Sequence, residues 1–441
     1  MLRSLLRAGL GRVLRLFFRR IEVAGLGRVP DRGPVIFAVN HPNALVDPLF
    51  LLCFAPRPVS FLAKAPLFRM PLIGWLARSL DSIPVHRRQD PGTDMAKNKE
   101  TFSRARALLQ RGGTLALAPE GASHSDPKLR PLKTGAARIA LGACGKEPVR
   151  VVPVGLFYTQ KATFRSAALM IFGEPIAVPP APHGSEGEPP SELVDEVTRA
   201  MAAGLTELVA QADEHAALDL ASRAERLVGA SDSLPPGGLP DRLALRRRLL
   251  AGYRVLREQA PAELERILLR IGRLETAFRA ADLEPADAAL GQFAPAAVAA
   301  ALARFVGRVI AFLPLAIPGI VLHYPGYRLI GLLARRVAGG RDDVLATAKI
   351  VGAAVVFPVT WLATGLAVGW VLGWPFGVLA ALVAPLAGYA GLRLVERFDR
   401  LLTATQAFGF YLFEREHFTR LAGARDELRA DLLRLAERFG V

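Results

Sequence analysis

The sequence predicts an α/β unit with a mostly central β-sheet flanked by helices, then a helical region and a C-terminal transmembrane helical hairpin. Three observations predict this order. Short β-type runs alternate with helical patterns between residues 20 and 180. Leu-rich charged patterns at helical spacing follow from residue 191. Two long uncharged runs then occur near the end of the chain.

Composition narrows the class of protein. At 441 residues the chain exceeds the usual size of one core, so two or three units are expected. The formal charge is +16, the hydrophobic fraction is 51%, and the mean hydropathy is positive. A basic and apolar chain favours a membrane surface with anionic lipid. No zinc-finger, helix-turn-helix or RNA-binding pattern occurs, so no nucleic-acid partner is expected.

The two cysteines, Cys53 and Cys144, lie inside apolar runs. They are typical of small buried side chains, and they form neither a disulfide framework nor a zinc-ligand pattern. This usage fits a reducing compartment.

Residues 1–20 are predicted to form an amphipathic membrane-surface helix. Six arginines interrupt the segment, so it lacks the apolar core of a signal peptide. Apolar side chains recur at helical spacing between them. An ordinary helix packed on the domain would need the same stripe. The apolar positions are Leu2, Leu5, Leu6, Leu10, Val13, Leu14 and Phe17.

Residues 21–180 are predicted to form the α/β domain. Expected strands cover residues 21–24, 35–39, 59–62, 82–85, 114–118, 151–157 and 168–176. Expected helices cover residues 48–54, 71–80, 93–110 and 134–141. A stretch rich in Pro, Gly and Glu, residues 178–190, closes the domain as a loop.

Residues 191–290 form the predicted helical region. Ser191 is a candidate helix cap, and a linker at 231–238 separates a second helical block at 240–283. Charged helix faces usually meet water, so no catalytic role is assigned here.

Residues 296–395 are predicted to be membrane segments. Prolines inside the apolar run make residues 309–334 a re-entrant or kinked segment. Residues 350–373 and 374–392 are predicted spans, with a buried soluble helix pair as the alternative. Residues 396–441 form a C-terminal amphipathic helix. The flanking cations, which place both ends of the hairpin in the cytoplasm, are Lys349, Arg393, Arg397 and Arg400.

A histidine and a carboxylate six positions apart, His41 and Asp47, follow the strand predicted at 35–39. A histidine oriented by a carboxylate can accept a proton from a hydroxyl near neutral pH. By themselves the two residues also fit a loop contact or a helix cap.

Further motifs support the catalytic interpretation, since each falls at the end of a predicted strand or the start of a helix. Loops at strand ends can gather distant residues into one pocket of an α/β sheet. The motifs are Phe-Leu-Ala-Lys at 61–64, Ser-Ile-Pro-Val-His-Arg-Arg at 82–88, Ala-Pro-Glu-Gly-Ala-Ser-His-Ser at 118–125, Leu-Lys-Thr-Gly at 132–135 and Val-Val-Pro-Val-Gly at 151–155.

In this order the motifs resemble the glycerolipid acyltransferase family, which acylates glycerol phosphate and lysophosphatidic acid. The resemblance covers residues 20–180. It maps the family's histidine-aspartate motif onto His41 and Asp47 and its arginine block onto residues 83–87. The proline-glutamate-glycine block maps onto residues 119–121 and the Val-Pro-Val block onto residues 152–154.

Two departures mark a branch. Five residues separate His41 from Asp47 where the family usually has four, so the loop must bulge for Asp47 to serve. Ser123 stands where the family tends to have an arginine. Both features resemble the fungal-type glycerol-3-phosphate and dihydroxyacetone-phosphate acyltransferase branch.

The resemblance implies roles that chemistry supports. His41, held by Asp47, would be the general base for direct attack of the acceptor hydroxyl, with no serine or cysteine nucleophile. Backbone N–H groups or a cation would stabilise the oxyanion. No metal and no cofactor are expected, because acyl-CoA or acyl-ACP is a co-substrate.

A phosphate-bearing acceptor needs fixed cations. Arg87 is the first candidate, since a guanidinium binds two phosphate oxygens at once. Lys64, Lys133 and Arg88 are second choices. Glu120 is assigned to binding and orientation, either of Arg87 or of a glycerol hydroxyl.

Gly121 would let the backbone approach the substrate. His86 and His124 compete with His41 as base, but neither has a carboxylate in a comparable motif, although Asp126 lies near His124 in sequence.

The sequence therefore predicts a membrane-bound O-acyltransferase of phospholipid biosynthesis with its active site facing the cytoplasm. The expected partners are an acyl donor thioester from CoA or acyl carrier protein, a glycerol phosphate or lysophospholipid acceptor, and membrane lipid. Glycerol 3-phosphate or dihydroxyacetone phosphate is the expected acceptor, with a lysophospholipid such as 1-acyl-glycerol 3-phosphate as the alternative. A non-catalytic lipid-binding membrane scaffold is the hypothesis from another class.

Overall fold

The computed structural model describes residues 2–87, 95–145, 147–178, 189–229, 238–285 and 295–439. The chain forms two compact units. The first comprises Met1–Asp213 together with Arg341–Thr347, and the second comprises Glu214–Gly340 together with Ala348–Val441.

The first unit is built on one β-sheet, which confirms the predicted α/β class. The sheet order is β1-β7-β6-β2-β5-β3-β4, with β8 paired to β6. The strands are β1 (Arg20–Ala24), β2 (Val35–Val39), β3 (Ser60–Lys64), β4 (Ile83–Val85), β5 (Thr114–Leu117), β6 (Arg150–Tyr158), β7 (Ala167–Phe172) and β8 (Ile176–Ala177).

The helices of the first unit fall close to their predicted positions. Residues 93 and 94, the predicted start of one helix, lie outside the described residues. The helices are α1 (Leu2–Phe17), α2 (Val46–Phe54), α3 (Pro71–Ser79), α4 (Asn98–Gln110), α5 (Gly135–Ala143) and α6 (Ser191–Thr206).

Five neighbouring strands run in one direction, since β6, β2, β5, β3 and β4 pair in parallel along the sheet order. Parallel strands bring their carboxyl ends to the same edge of a sheet. The loops after β2, β3, β4, β5 and β6 therefore share that edge, and they carry the predicted site motifs.

Helices cover both faces of the sheet, so all five residues of β2 are buried. One face packs the apolar sides of α4, α5 and α6 in a single core cluster. On the other side, Phe18 packs in edge contact with Phe50 of α2 and beside Tyr158 of β6. The Val-Pro-Val block at 152–154 is a buried part of β6 and thus belongs to the core.

Helix α1 packs by one stripe on the first unit. Leu14 and Phe17 are buried, and Arg7 donates to the carbonyl of Ala55. Leu5, 62% exposed, and Leu2, 48% exposed, leave an apolar end uncovered. The helix thus combines the packed stripe with the exposed apolar surface that a membrane-surface helix requires.

Helix α6 also belongs to the first unit, because Val194, Val197 and Met201 enter the core cluster. The predicted helical region at 191–290 is therefore divided between the two units. Ser191 is not the cap: the helix begins at Ser191 itself, and Pro190 occupies the cap position without a side-chain hydrogen bond.

All regular secondary structure in the described residues of the second unit is helical. Its interior includes an apolar cluster of side chains such as Ile271, Phe278 and Leu428. The 231–237 part of the predicted linker lies outside the described residues. The helices are α7 (His215–Val228), α8 (Leu239–Gln259), α9 (Pro261–Ala280), α10 (Pro295–Ala338), α11 (Asp342–Leu372), α12 (Trp374–Phe413) and α13 (Arg415–Phe439).

The structure bears on two predictions for the C-terminal half. Residues 309–334, predicted to be a re-entrant or kinked segment, lie within one helix, α10, which contains Pro314, Pro318 and Pro325, and their course in a membrane stays a prediction. A proline removes one backbone hydrogen bond, but small residues let a neighbouring helix pack closely and compensate. The C-terminal amphipathic helix starts after Glu414, not at residue 396.

The two predicted spans correspond to α11 and α12, which meet at Gly373. Its φ of 98° is a conformation that favours glycine. The described residues contain two helices long and apolar enough to cross a membrane, Asp342–Leu372 and Trp374–Asp399. Their apolar side chains, among them Leu362 and Leu366, are largely exposed within the unit.

Candidate active site

His41 and Asp47 meet at the carboxyl edge of the sheet. Nδ1 of His41 lies 2.8 Å from Oδ2 of Asp47. The predicted bulge is present, since Ala44 adopts a φ of 35° between them, where a side chain is strained. The extra residue is thus accommodated by the loop.

Asp47 is 2% exposed, and two further donors reach it. The backbone N–H of Asn43 donates to Oδ2 at 2.7 Å, and the hydroxyl of Tyr158 donates to Oδ1 at 2.7 Å. A buried carboxylate is tolerated only when its oxygens are hydrogen-bonded. These contacts fix the carboxylate and, through it, the imidazole of His41.

The contact with Asp47 determines the tautomer of His41. A carboxylate accepts, so Nδ1 carries the proton and Nε2 carries the lone pair. The His41 side chain is 24% exposed. Within the described ranges Nε2 has no hydrogen-bond partner, so it is available to a substrate hydroxyl.

Glu120 anchors the loop that carries His41. It is 4% exposed; Oε1 accepts from the His41 backbone N–H at 3.2 Å, and Oε2 accepts from the Arg130 backbone N–H at 2.9 Å. Nε2 of His124 also lies against Oε2. These bonds connect the loops that carry His41, His124 and Arg130, and the assignment of Glu120 to substrate binding or to orientation of Arg87 stays a prediction.

His124 has both ring nitrogens engaged. Nε2 donates to Glu120, and Nδ1 accepts from the Asp126 backbone N–H at 3.2 Å. Its side chain is 8% exposed. Sequence reasoning considered only Asp126 as a carboxylate near His124, because it assigned Glu120, four residues earlier, to binding and orientation.

Arg87 and Lys133 converge on Gly121. Nη1 of Arg87 donates to the Gly121 carbonyl at 2.8 Å. Gly121 has a φ of 82°, and a Cβ there would meet the Lys133 side chain at 2.6 Å. The backbone conformation thus favours glycine at this position, and the end of the flexible Lys133 side chain lies close to it.

The other predicted cation, Lys64, ends β3 beside Val85 and is exposed. His86 is held through its backbone: its N–H donates to Oδ1 of Asn98 at 3.0 Å, and its carbonyl accepts from Nδ2 at 2.7 Å. Arg88 lies outside the described residues. The structure thus brings His41, Asp47, Glu120, Gly121, Arg87 and Lys133 into one connected network, with Lys64 at the same sheet edge.

Three residues that sequence reasoning missed also reach this network. Asn40 bonds Leu156 of β6 in both directions, through Nδ2 at 3.1 Å and Oδ1 at 2.7 Å. Burial, and then the charge of Asp47, raises the pKa of Tyr158 well above its ordinary value. An Asn directly before the histidine was the available signal for the first. Tyr158 gave none.

Lys161 is the third. Its Nζ donates to the Pro42 carbonyl at 3.3 Å and to Oγ of Ser125 at 2.6 Å. Burial lowers the pKa of this ammonium, although the charges of Asp342, Asp343 and Asp47 act in the opposite direction. A cation therefore lies directly beside the loop that presents His41.

Ser123, at the position where the family tends to have an arginine, donates from Oγ to Oδ2 of Asp343 at 2.6 Å. Asp343 belongs to the Arg341–Thr347 segment of the first unit. Among the described residues no group of three or more His, Cys, Asp or Glu side chains is placed to hold a metal ion.

Residues 20–156 match the family model described as Acyltransferase. Glycerol-3-phosphate O-acyltransferase 1 of Saccharomyces cerevisiae is 25% identical, over 79% of this chain and 59% of that protein. Glycerol-3-phosphate O-acyltransferase 2 of the same yeast is 28% identical, over 60% of this chain and 37% of that protein. A chloroplastic 1-acyl-sn-glycerol-3-phosphate acyltransferase of Arabidopsis thaliana is 29% identical, over 33% of this chain and 38% of that protein.

Residues 20–156 of the first unit therefore match an acyltransferase domain, and these three relatives are named as glycerolipid acyltransferases. The resemblance predicted from the four motifs, including the likeness to the fungal glycerol-3-phosphate branch, is confirmed. The chain spans about six-tenths of the length of the first yeast relative and less than four-tenths of the other two.

Proposed function

We propose that this protein is a membrane-bound acyltransferase that moves a fatty acyl group from acyl-CoA or acyl-ACP to glycerol 3-phosphate or dihydroxyacetone phosphate. The observation that carries the proposal is the His41–Asp47 contact, in which Nδ1 is held at 2.8 Å while Nε2 stays available. This arrangement supplies a base where a hydroxyl must lose its proton.

The reaction needs one base and no covalent enzyme intermediate. Nε2 of His41 takes the proton of the acceptor hydroxyl as its oxygen attacks the thioester carbonyl carbon. The new C–O bond forms, the tetrahedral oxyanion collapses, the C–S bond breaks, and the His41 imidazolium returns its proton to the departing thiolate. Asp47 stabilises the imidazolium between the two proton transfers.

Cations beside this base favour a phosphate-bearing acceptor. Arg87 and Lys133 meet at Gly121, directly after Glu120, whose carboxylate holds the His41 backbone. A guanidinium donates in a planar fork that matches two phosphate oxygens.

Glycerol 3-phosphate is favoured over a lysophospholipid for two reasons. The five-residue His41–Asp47 spacing and Ser123 resemble the fungal-type branch. The yeast relative, named a glycerol-3-phosphate O-acyltransferase, also aligns over 79% of this chain, compared with 33% for the plant 1-acyl-sn-glycerol-3-phosphate acyltransferase. The latter match makes 1-acyl-glycerol 3-phosphate the second candidate acceptor.

Membrane attachment rests on three features of the chain. Helices α11 and α12 are long and apolar enough to span a bilayer, and α1 exposes Leu2 and Leu5. Lys349 and Arg393 flank the hairpin, which favours a cytoplasmic location for both of its ends and for the active site. A product with an acyl chain belongs in the bilayer.

The test of activity is an acceptor panel. Full-length protein in vesicles would receive labelled acyl-CoA with glycerol 3-phosphate, dihydroxyacetone phosphate or 1-acyl-glycerol 3-phosphate, and labelled lipid would be measured by extraction. We expect the greatest transfer to the first two. Preference for the third would select the alternative acceptor. The absence of both CoA release and acylated product would contradict acyl transfer and leave the scaffold hypothesis.

The test of attachment is extraction at alkaline pH, which strips peripheral proteins from membranes. We expect the full chain to remain in the membrane pellet. Recovery of the chain in the supernatant would contradict a spanning hairpin.

A further inference from the structure

Ser123, at the position where the resemblance implies an arginine, contacts a segment from a distant part of the chain. We infer that Arg341, held by Asp343 beside Ser123, binds the phosphate of the acceptor and sets acceptor specificity. The inference deepens the proposed function and rests on it. Neither Arg341 nor Asp343 was a site candidate from the sequence.

Asp343 is a buried carboxylate that contacts Ser123. It is 4% exposed, and its Oδ2 accepts from Oγ of Ser123 at 2.6 Å although 220 residues separate the two in sequence. A buried carboxylate without partners is costly, so this contact fixes where Arg341–Thr347 lies within the first unit.

Arg341 bonds both carboxylate oxygens of Asp343. Its Nη2 donates to Oδ2 of Asp343 at 2.8 Å and its Nε to Oδ1 at 3.3 Å. The guanidinium is therefore one carboxylate away from Ser123. A serine at position 123 donates the hydroxyl that this connection needs, whereas an arginine side chain there would compete for Asp343.

The Arg341 guanidinium has N–H donors that Asp343 does not use. An arginine has five N–H donors, and the contact with Asp343 uses two of them. The Arg341 side chain is 64% exposed. The remaining donors are thus oriented by a buried carboxylate and open to a ligand, as preorganised phosphate recognition requires.

Ser123 lies next to the loop that contacts the His41 backbone. Ser123 precedes His124, whose backbone N–H donates to the His41 carbonyl at 3.2 Å. Lys161 bonds both Ser125 and the Pro42 carbonyl. The loop that receives Asp343 is therefore the loop that contacts the peptide of the proposed base.

The experiment is a kinetic comparison of full-length enzyme in vesicles. We expect Arg341→Ala to raise the KM for glycerol 3-phosphate by about 10- to 100-fold, as the loss of a charge-assisted contact predicts. The KM for acyl-CoA should stay within about twofold, since the donor does not need this cation. Arg341→Lys should fall between, because it keeps the charge and loses the fork.

A rescue separates binding from a structural role. Ser123→Arg combined with Arg341→Ala places a guanidinium at the family position and should recover most of the lost acceptor affinity. Arg336→Ala, which removes an exposed arginine from the end of α10, is the matched control and should leave both KM values unchanged. Equal changes in both KM values with Arg341→Ala, or no rescue by the double variant, would overturn the inference.

Failure of the inference and failure of the proposed function give different results. Acylation by the parent enzyme with an unchanged acceptor KM in Arg341→Ala contradicts only the role of Arg341. If the parent prefers 1-acyl-glycerol 3-phosphate, the same comparison applies to that acceptor, because it also carries a phosphate. If the parent acylates nothing, the proposed function fails. Titration of glycerol 3-phosphate into His41→Ala protein then tests Arg341 by binding alone, and equal affinity with and without Arg341 overturns the inference.

Discussion

His41 and His124 each hydrogen-bond a carboxylate at the same sheet edge, yet they present opposite ring nitrogens to their partners. His41 gives Nδ1 to Asp47 and keeps Nε2 available. His124 gives Nε2 to Glu120 and uses Nδ1 to accept from the Asp126 backbone. The first is 24% exposed and the second 8%.

The difference shows that a histidine beside a carboxylate is not enough to define a base. The ring must also keep one nitrogen with a lone pair on the side from which substrate arrives. His41 is partly exposed, and its Nε2 has no hydrogen-bond partner among the described residues, as a base would need. His124 joins two loops and, through Glu120, supports the backbone of His41.

The largest test of this contrast is a pair of single substitutions. His41→Ala should reduce acyl transfer by about 10³-fold or more, in the range lost with a general base. His124→Gln should reduce it by about tenfold or less, because it disturbs only the support of the loop. Transfer rates and thermal unfolding would be measured for both. Equal losses of rate would remove the distinction.

A second test concerns the carboxylate and its register. Asp47→Asn should lower turnover by about 10²-fold, since a neutral amide stabilises the imidazolium poorly. Moving the carboxylate back one residue, by Val46→Asp with Asp47→Ala, should not restore activity. One step along α2 turns a side chain about 100° away, and the Tyr158 hydroxyl would lose its acceptor. Recovery in the double variant would show that five-residue spacing is not required.

A third test weakens the support of both histidines at once. In Glu120→Gln, one of the buried oxygens becomes a donor that faces existing N–H donors. We expect turnover to fall by about tenfold and the free energy of unfolding to fall by about 1–3 kcal/mol. Asp126→Asn, on the exposed side of His124, is the control and should change either quantity little. A Glu120→Gln enzyme with unaltered turnover would show that the His41 loop needs no anchor.

The smallest expected effect concerns Tyr158. Tyr158→Phe removes one donor from Asp47 and should lower the free energy of unfolding by about 0.5–1.5 kcal/mol at pH 7. The folded-state pKa of Tyr158 is raised, so its contribution is fully present below the ordinary tyrosine value near pH 10 and is lost above it.

The stability difference between the parent and Tyr158→Phe should thus be constant from pH 7 to about pH 9 and shrink at higher pH. Denaturant unfolding at several pH values measures it. A difference that grows with pH would contradict the buried, protonated phenol.

Local patterns predicted much of the fold and part of the site. Strand β2 begins and ends where the sequence predicts, because a fully apolar run between loop residues leaves little choice. His41 and Asp47 were found because both lie in one short motif. The departure in their spacing correctly indicated a bulge, which Ala44 provides.

The rest depends on tertiary contacts that no local pattern contains. Tyr158 reaches Asp47 across 111 residues, and Asp343 reaches Ser123 across 220. The prolines in residues 309–334 predicted a re-entrant or kinked segment, and α10 continues through them as one helix. Sequence reasoning assigned Glu120 to binding and orientation, either of Arg87 or of a glycerol hydroxyl, because the sequence alone did not show the backbone N–H groups from which it accepts.

The return of Arg341–Thr347 to the first unit has a consequence for synthesis. A ribosome releases the chain from its N-terminus, so residues 1–213 emerge well before Asp343, and Ser123 lacks its partner during that interval. The unit is completed only when the first turn of α11 has left the exit tunnel. The nascent chain therefore acquires the last residues of its first unit when α11, the first of the two described helices that are long and apolar enough to cross a membrane, begins to appear.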